Sequence, residues 1–527
     1  MAAFSARPAV GFILRFWLAF VVGLLPTAAL AQIPYPNPIN HVILIDQENR
    51  TVDNLLGSNS PLHQFYLPGL VSSTTGQAFA FLKARKVVFN VPAVSIPLAS
   101  KFGSRGSVPP DDYDPDHSHT AWGNACDAPF ITDPSSECAM DGFNLVQVSC
   151  DERARGCPGP AYPTYAYVQY KDVAPYFQIA SQFGYANFFF QTNQGPSSPS
   201  HQFTFGGTSQ PGNGTEPNWF VSENMPEPGK TNGCIALPGS TVQQVNPATQ
   251  EENTTMFPCY NHATMADVFA ANIPQITWTY YTPGQGDMWS APDAIESICH
   301  VRGHECTGPY WTKGASNGYI DLNPSDVLGD IGRCSLNQMN WVIPTALESD
   351  HAGLTDGSGP SWVASIVNAM GESPCTDVVN GQLLTYWQDT VILITWDDWG
   401  GWYDDIVPPP LPSNVPFTSN AFSYVYGFRV PLLVVSAYTS PGTVSNAAGL
   451  DFGAILRFVE EIFGVGNIPP PAGGYQYYYF ADYYATGDLG EFFNFGKAPH
   501  SFRRIEAPHK KEFFLDPRRP IEPPDDD

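Results

Sequence analysis

Basic residues are scarce in this chain. Its 24 Lys and Arg stand against 50 Asp and Glu, a formal charge of −26 at pH 7. A protein that binds nucleic acid by neutralising phosphates needs the opposite balance, so no nucleic-acid partner is expected. Free anionic substrates meet long-range repulsion from the same field, so phosphate chemistry here would need positive charge held locally by a metal. Long apolar runs are missing too. The apolar run Phe16–Leu25 is short of the ~20 residues of a membrane helix, and no later segment reaches that length. That one run follows Arg7 and Arg15 and precedes Ala29-Leu30-Ala31, so residues 1–31 read as a secretory signal, with a retained anchor as the other reading. No stable membrane span is expected after cleavage, and the localisation implied is secreted or periplasmic. Cys-x-x-Cys spacing does not occur among the ten cysteines, which leaves a thiolate zinc site without support. In an oxidising compartment cysteines in even number imply disulfides, and the local closures Cys126–Cys138, Cys150–Cys157 and Cys299–Cys306 fit the spacing. Internal repeats are also lacking.

What the chain does contain is buried-strand material that ends in oxygen ligands. With 43% hydrophobic and 13% aromatic residues it is globular, and its length suits one large α/β domain or two. Thr390–Trp396 is β-branched and uncharged, the pattern of a strand buried on both faces of a parallel sheet. It runs into Asp397 and Asp398, then Gly400 and Gly401. Two carboxylates at the end of a buried strand are costly unless a cation or strong donors meet them, so the stretch reads as a metal site or as an acidic glycine turn. Asn40–Asp46 repeats the pattern and ends in Glu48, Asn49 and Arg50, which are metal ligands or the cap of the following helix. In open α/β sheets, sites form beyond the carboxyl ends of strands.

Three further stretches carry polar chemistry. His117 and His119 would share a face if they lay in a strand, suiting a metal or a phosphate oxygen; otherwise they sit in a surface loop. Gly195-Pro-Ser197 precedes a helical pattern, which would expose Ser197 to the amide donors of a helix N-terminus. A metal there would turn it into a nucleophile, whereas the plain reading is a turn with a cap. Asn340–Pro344 reads as a third strand and precedes Glu348-Ser-Asp350-His351. Elsewhere a helix or helix-strand segment is expected over 176–190, helices over 263–272, 362–370 and 452–463, strands over 275–281 and 432–436, and an irregular surface insertion over 206–258. The proline-rich acidic stretch 496–527 reads as a poorly ordered tail. The domain reading is therefore a signal over 1–31, a catalytic domain over 32–495 and that tail. The fold class is α/β, a central mostly parallel sheet flanked by helices with loop-rich, disulfide-containing insertions.

Several of these stretches together resemble one family. Asp46-Gln-Glu-Asn-Arg-Thr-Val-Asp53 is similar to the signature of the bacterial phosphoesterases that include acid phosphatases and non-haemolytic-type phospholipases C. Met140-Asp-Gly-Phe143, Gly195-Pro-Ser197, Ser349-Asp-His351, Trp396–Asp404, Gly427-Phe-Arg-Val-Pro431 and Leu456-Arg-Phe-Val-Glu460 match later blocks in the same order. The resemblance implies a fold like that of the alkaline phosphatase/sulfatase superfamily and a divalent metal ion, its identity open. It implies that Glu48, Asn49, Ser197, Asp397 and Asp398 are metal ligands, that Ser197 is the nucleophile, and that His117 and His351 meet the phosphate or the leaving group. His119 is the second candidate should the register differ by two. One position departs: relatives read Asp-His where this chain has Asp404-Asp405, which removes an imidazole. The activity implied is hydrolysis of a phosphate ester through a phosphoserine, acid-phosphatase-like or, alternatively, on phospholipid head groups. An inactive surface-binding protein on the same fold is the competing class. Oligomeric state is not legible.

Overall fold

A computed structural model describes residues 36–56, 79–84, 87–92, 94–100, 113–127, 138–150, 159–160, 162–224, 231–415, 425–469 and 479–524. The expected signal over 1–31 and Cys157 lie outside these residues.

The core is an eight-stranded sheet. In chain order its strands are β1 (His41–Gln47), β2 (Gly184–Ala186), β3 (Trp278–Tyr281), β4 (Tyr319–Asp321), β5 (Met339–Val342), β6 (Thr390–Trp396), β7 (Leu432–Ser436) and β8 (Thr443–Ser445). In space they run β4-β3-β5-β1-β6-β7-β2-β8. Every neighbouring pair is parallel except the two that β7 makes with β6 and β2, so the sheet is mostly parallel with one reversed strand. β1 and β6 lie at its centre, and every residue of both is buried. That double-sided burial is what their unbroken apolar sequences predict.

Helices cover both faces. They include α1 (His119–Cys126), α2 (Tyr170–Gln182), α3 (Ser197–Gly206), α4 (Asp326–Arg333), α5 (Gly359–Gly371) and α6 (Phe452–Phe463). Phe205 of α3 packs edge-on to Trp341 of β5 at 5.2 Å, while Tyr176 of α2 packs on Trp396 of β6 at 5.0 Å. Trp341, Leu44 and Leu393 are register partners and share a face, and Trp396 lies three residues beyond Leu393. Strand alternation therefore puts α2 and α3 on opposite faces. α2, α4 and α5 pack together on one side, α3 and α6 on the other.

Four disulfides join described residues. Cys126–Cys138 and Cys299–Cys306 are the expected local closures; Cys234–Cys259 and Cys334–Cys375 span longer separations that spacing does not single out. Two expectations need correction. Residues 206–258 are not merely a surface insertion, because they hold a three-stranded antiparallel sheet and bury Thr208, Ser209 and Gln210 completely against the domain. The segment 496–524 is not a loose tail either. His500 accepts from Trp387 Nε1, Ile505 is held by both ends of the Asn368 amide, and buried Phe514 packs on Trp362 at 5.3 Å. Its prolines and charges lie between apolar anchors that composition averages away.

Two predictions follow from this packing. Phe514→Ala should lower unfolding free energy by about 3 kcal/mol in chemical denaturation, the typical cost of emptying a buried Phe site; an unchanged midpoint would mean that the segment does not dock. Asp451 caps α6 by accepting from Ala454 N at 3.1 Å, yet burial pushes its carboxyl up to about 7. The folded state then holds a proton that the unfolded state has released, so this group's contribution is full below pH ~4 and is lost as pH rises towards 7, at up to about 1.4 kcal/mol per pH unit. Asp451→Asn keeps the cap and should flatten that part of the stability-pH profile, measured by urea titration at several pH values.

Candidate active site

The parallel register of the two central strands builds the site. His41 pairs with Thr390 and so on to Gln47 with Trp396, so the residues that follow, Glu48 and Asp397, emerge side by side. Asn49 N donates to Asp397 Oδ1 at 3.0 Å across 348 positions of sequence. Asn49 adopts a left-handed backbone (φ 60°) and Gly400 another (φ 58°). A Cβ on Gly400 would stand 2.1 Å from Asn49 O, so only glycine lets the turn close here. Within that turn Gly400 N donates to Asp398 Oδ1 at 2.6 Å, leaving Oδ2 to accept from Ser197 Oγ at 3.2 Å.

Ser197 is the first residue of α3, a ten-residue helix whose first turn receives no side-chain cap. Its Oγ also lies 3.3 Å from Asn49 Oδ1. The first-turn amides of such a helix favour an anion, so the hydroxyl sits where phosphate oxygens are held. His117 lies beside the same amide, its Nε2 3.0 Å from Asn49 Nδ2. Its Nδ1 faces Pro115 O at 2.9 Å, and since a carbonyl only accepts, Nδ1 carries the proton and Nε2 the lone pair. His351 is fixed the same way by Ala352 O at 2.6 Å, its ring stacked on Trp289 and 5.8 Å from that of His117. All the residues singled out in the sequence thus converge. His119 is the exception: it opens α1, its Nδ1 meets Gln194 O at 3.1 Å, and it stacks on Trp122. The pair is not in a strand, so the two rings diverge.

Two members of the site went unread in the sequence. His201 follows Ser197 by one helical turn, with Nε2 3.1 Å from Glu48 Oε1 and 3.9 Å from Asp397 Oδ2, and Nδ1 3.5 Å from Asp46 Oδ2. The i, i+4 spacing from Ser197 was the available signal. Asp46, the last acid within β1, is the other.

Glu48, Asp397 and His201 place one donor atom each within 4.8 Å of one another. Asp46, Glu48, Asp397 and Asp398 are fully buried. Among the described residues the only basic group at ion-pair distance from Asp46, Glu48 and Asp397 is His201, which burial pushes down to about 4 and so keeps neutral. Burial, and then Asp397, raise Asp46 and Glu48 well above the usual carboxylate range. Both oxygens of Asp46, Oε2 of Glu48 and Oδ2 of Asp397 have no hydrogen-bond partner among the described residues. Carboxylate oxygens plus an imidazole suit a hard or borderline divalent cation, and oxygens left orphaned in a dry cluster are what such an ion would satisfy.

A second set of charges braces the site. Arg429 donates through Nε to Asp404 at 2.9 Å and through Nη2 to Asp405 at 3.0 Å and Asp53 at 3.4 Å. Asp405, where an imidazole was expected from the resemblance, thus gives its carboxylate to this guanidinium. Arg50 is buried over Trp402 and donates to Asp350 O, which orients the loop carrying His351.

Comparison with known proteins bears on this arrangement. The sequence profile described as the Phosphoesterase family matches residues 39–466, most of the chain. The chain belongs to the phosphoesterase family. It is 23% identical over 462 residues to a non-hemolytic phospholipase C of Pseudomonas aeruginosa, covering 82% of this chain and 55% of the relative. It is 21% identical over 490 residues to phospholipase C B of Mycobacterium tuberculosis, covering 88% of this chain and 79% of that one. The chain therefore spans little more than half the length of the Pseudomonas relative. A solved structure of an alkaline phosphatase superfamily protein from Vibrio parahaemolyticus aligns with 56% of this chain and 62% of its own at 9% identity, with a TM-score of 0.29, too slight a likeness to argue from.

For this phosphoesterase, Gly400→Ala should cost more than ~1 kcal/mol, since it adds both left-handed strain and a clash. It should also weaken retention of a divalent ion loaded into the carboxylate cluster more than it weakens the fold, read by metal content after loading and dialysis beside a thermal melt. A variant that keeps its metal would show that the turn is not what aligns Asn49 with Asp398.

Proposed function

We propose that this chain is a divalent-metal-dependent phosphoesterase in which Ser197 attacks phosphorus and carries a phosphoserine intermediate. The observation that carries the reading is the meeting of Ser197 Oγ, at a helix N-terminus, with Asp398 and Asn49 beside the buried carboxylates of Asp46, Glu48 and Asp397, whose only basic neighbour at ion-pair distance among the described residues is the neutral His201. Glu48, Asn49, Ser197, Asp397 and Asp398 would hold the ion, with Asp46 and His201 within reach. When bound, it supplies positive charge that eases loss of the Ser197 proton and stabilises charge developing on the phosphoryl oxygens.

The chain's own groups do the rest. Asp398 Oδ2 accepts the Ser197 proton as the hydroxyl attacks and returns it when the phosphorus–Oγ bond breaks, and the first amides of α3 receive the phosphoryl oxygens. Ser197 Oγ bonds to phosphorus as the bond to the leaving oxygen breaks. His351, its Nδ1 proton tied to Ala352 O, presents Nε2 as the site that carries a proton to that oxygen when the ring is charged. Once neutral, the same Nε2 accepts a proton from water as water attacks phosphorus, the phosphorus–Oγ bond breaks and Ser197 is reprotonated. His117 Nε2, facing Asn49 Nδ2, holds the amide with its oxygen towards Ser197.

The substrate we assign is a small phosphomonoester, as for an acid phosphatase. A specific observation favours a second reading, phospholipase C action on phospholipid head groups, because both relatives carry that name. The disulfides support an extracytoplasmic setting for either. Ser197→Ala should abolish turnover of a chromogenic phosphomonoester, a fall of at least 10³-fold, while the circular dichroism spectrum stays unchanged. Full activity in that variant would remove Ser197 from the role of nucleophile. Release of head group from phosphatidylcholine without monoester turnover would reverse the substrate order.

A further inference from the structure

The opposite end of the same strand pair carries a second cluster. His41 opens β1, Asp389 immediately precedes β6, and Asp377 sits on the hairpin formed by Thr376–Val379 and Gln382–Thr385. One donor atom from each lies within 4.8 Å of the other two. Six strand steps separate this cluster from the catalytic end, about 20 Å.

The local hydrogen bonds leave more buried negative charge than the imidazole can offset. His41 Nδ1 faces Asn337 O at 2.8 Å, so Nδ1 carries the proton and the lone pair is on Nε2. Asn40 Nδ2 lies 3.2 Å from that Nε2, as a donor to a lone pair would. Nε2 also stands 2.7 Å from Asp377 Oδ2, to which Asn40 Nδ2 donates at 3.1 Å, so the close pair needs either a second proton on the ring or a cation shared by the two. Asp389 adds a second, fully buried carboxylate beside Asp377, and its Oδ2 receives no donor among the described residues. A doubly protonated His41 would offset one of the two carboxylates and leave the other. Histidine bound through Nε2 with its Nδ1–H on a backbone carbonyl, next to two carboxylates, is a donor set for a borderline divalent ion such as zinc. Asp377 is half-buried, which gives an ion a way in.

We propose that His41, Asp377 and Asp389 form a second divalent-cation site, structural in kind, that clamps the start of the two central strands to the 376–385 hairpin. This site is independent of the catalytic assignment.

The test uses the full chain, stripped with chelator, reloaded in micromolar zinc, dialysed, and analysed for zinc per chain by mass spectrometry. Asp377→Ala and Asp389→Asn are each expected to bind one equivalent fewer than the parent, to keep monoester turnover within twofold of it, and to lose the thermal stabilisation that zinc gives at this end. Asp397→Asn, at the other end, should lose a different equivalent, so that Asp377→Ala combined with Asp397→Asn binds none. If Asp389→Asn fails to fold, the half-exposed Asp377→Ala still decides. Zinc content equal to the parent in Asp377→Ala would overturn the proposal, whatever Asp397→Asn does.

Discussion

Negative charge buried at the ends of β1 and β6 governs this structure. Asp46, Glu48, Asp397 and Asp398 lie at zero exposure at the ends of two central strands, and His201 is neutral among them. An isolated ionised carboxylate in a dry interior is too costly to persist; it takes a proton, a cation or a dense set of donors. Protons can serve Asp46 and Glu48, as their raised pKa directions indicate. Donors serve Asp397 and Asp398: the amides of Asn49 and Gly400 and the hydroxyl of Ser197. Asp397 Oδ2, Glu48 Oε2 and both oxygens of Asp46 have no donor among the described residues, however, and these oxygens point to an ion as the remaining partner.

Much of this was readable from residue order. Strands β1 and β6 have apolar centres, Val42–Ile45 and Val391–Ile394, and run into acids, and the family blocks set those ends in one site. What stayed hidden had physical reasons. The reversal of β7 is invisible because a strand buried on both faces reads alike in either direction. His201 was missed because a histidine inside a buried helix has no local mark; only its turn-spacing from Ser197 places it. Asp46 was read as part of a motif, though its position within β1, not beyond it, is what sends it under the cluster. The segment 496–524 was misjudged because its anchors, Ile505 and Phe514, are single residues among charges and prolines.

The family blocks also divide by physical task. Glu48, Asn49, Ser197 and Asp398 face the chemistry. Asp53, Asp404 and Arg429 come from three of the same blocks yet form a buried ion knot to one side, with Asp405 completing it. Truncating one partner of such a knot leaves the others buried and uncompensated, so it acts as a strong fastener between the segment after β1, the turn after β6 and the approach to β7. Sequence likeness alone ranks these residues with the reacting ones, and geometry separates them. It also explains how the chain accommodates Asp405 where an imidazole was expected: a carboxylate beside a guanidinium gains what an imidazole there would not.

The two ends of the β1–β6 pair constrain each other through register. Glu48 meets Asp397 only because His41 pairs with Thr390 seven residues earlier. A one-residue slip would turn every side chain of one strand to the other face and set Glu48 beside Asp398. Apolar strands buried on both faces resist such a slip weakly, because valine, leucine and isoleucine fit either face. Polar groups fixed at the strand starts resist it strongly, since Asn40 N and His41 N both bond Asp389 O and His41 Nδ1 reaches Asn337 O. The start of the pair therefore holds the alignment that the acidic end requires, and it does so through main-chain bonds to Asp389 O that do not depend on the side chains of Asp377 and Asp389.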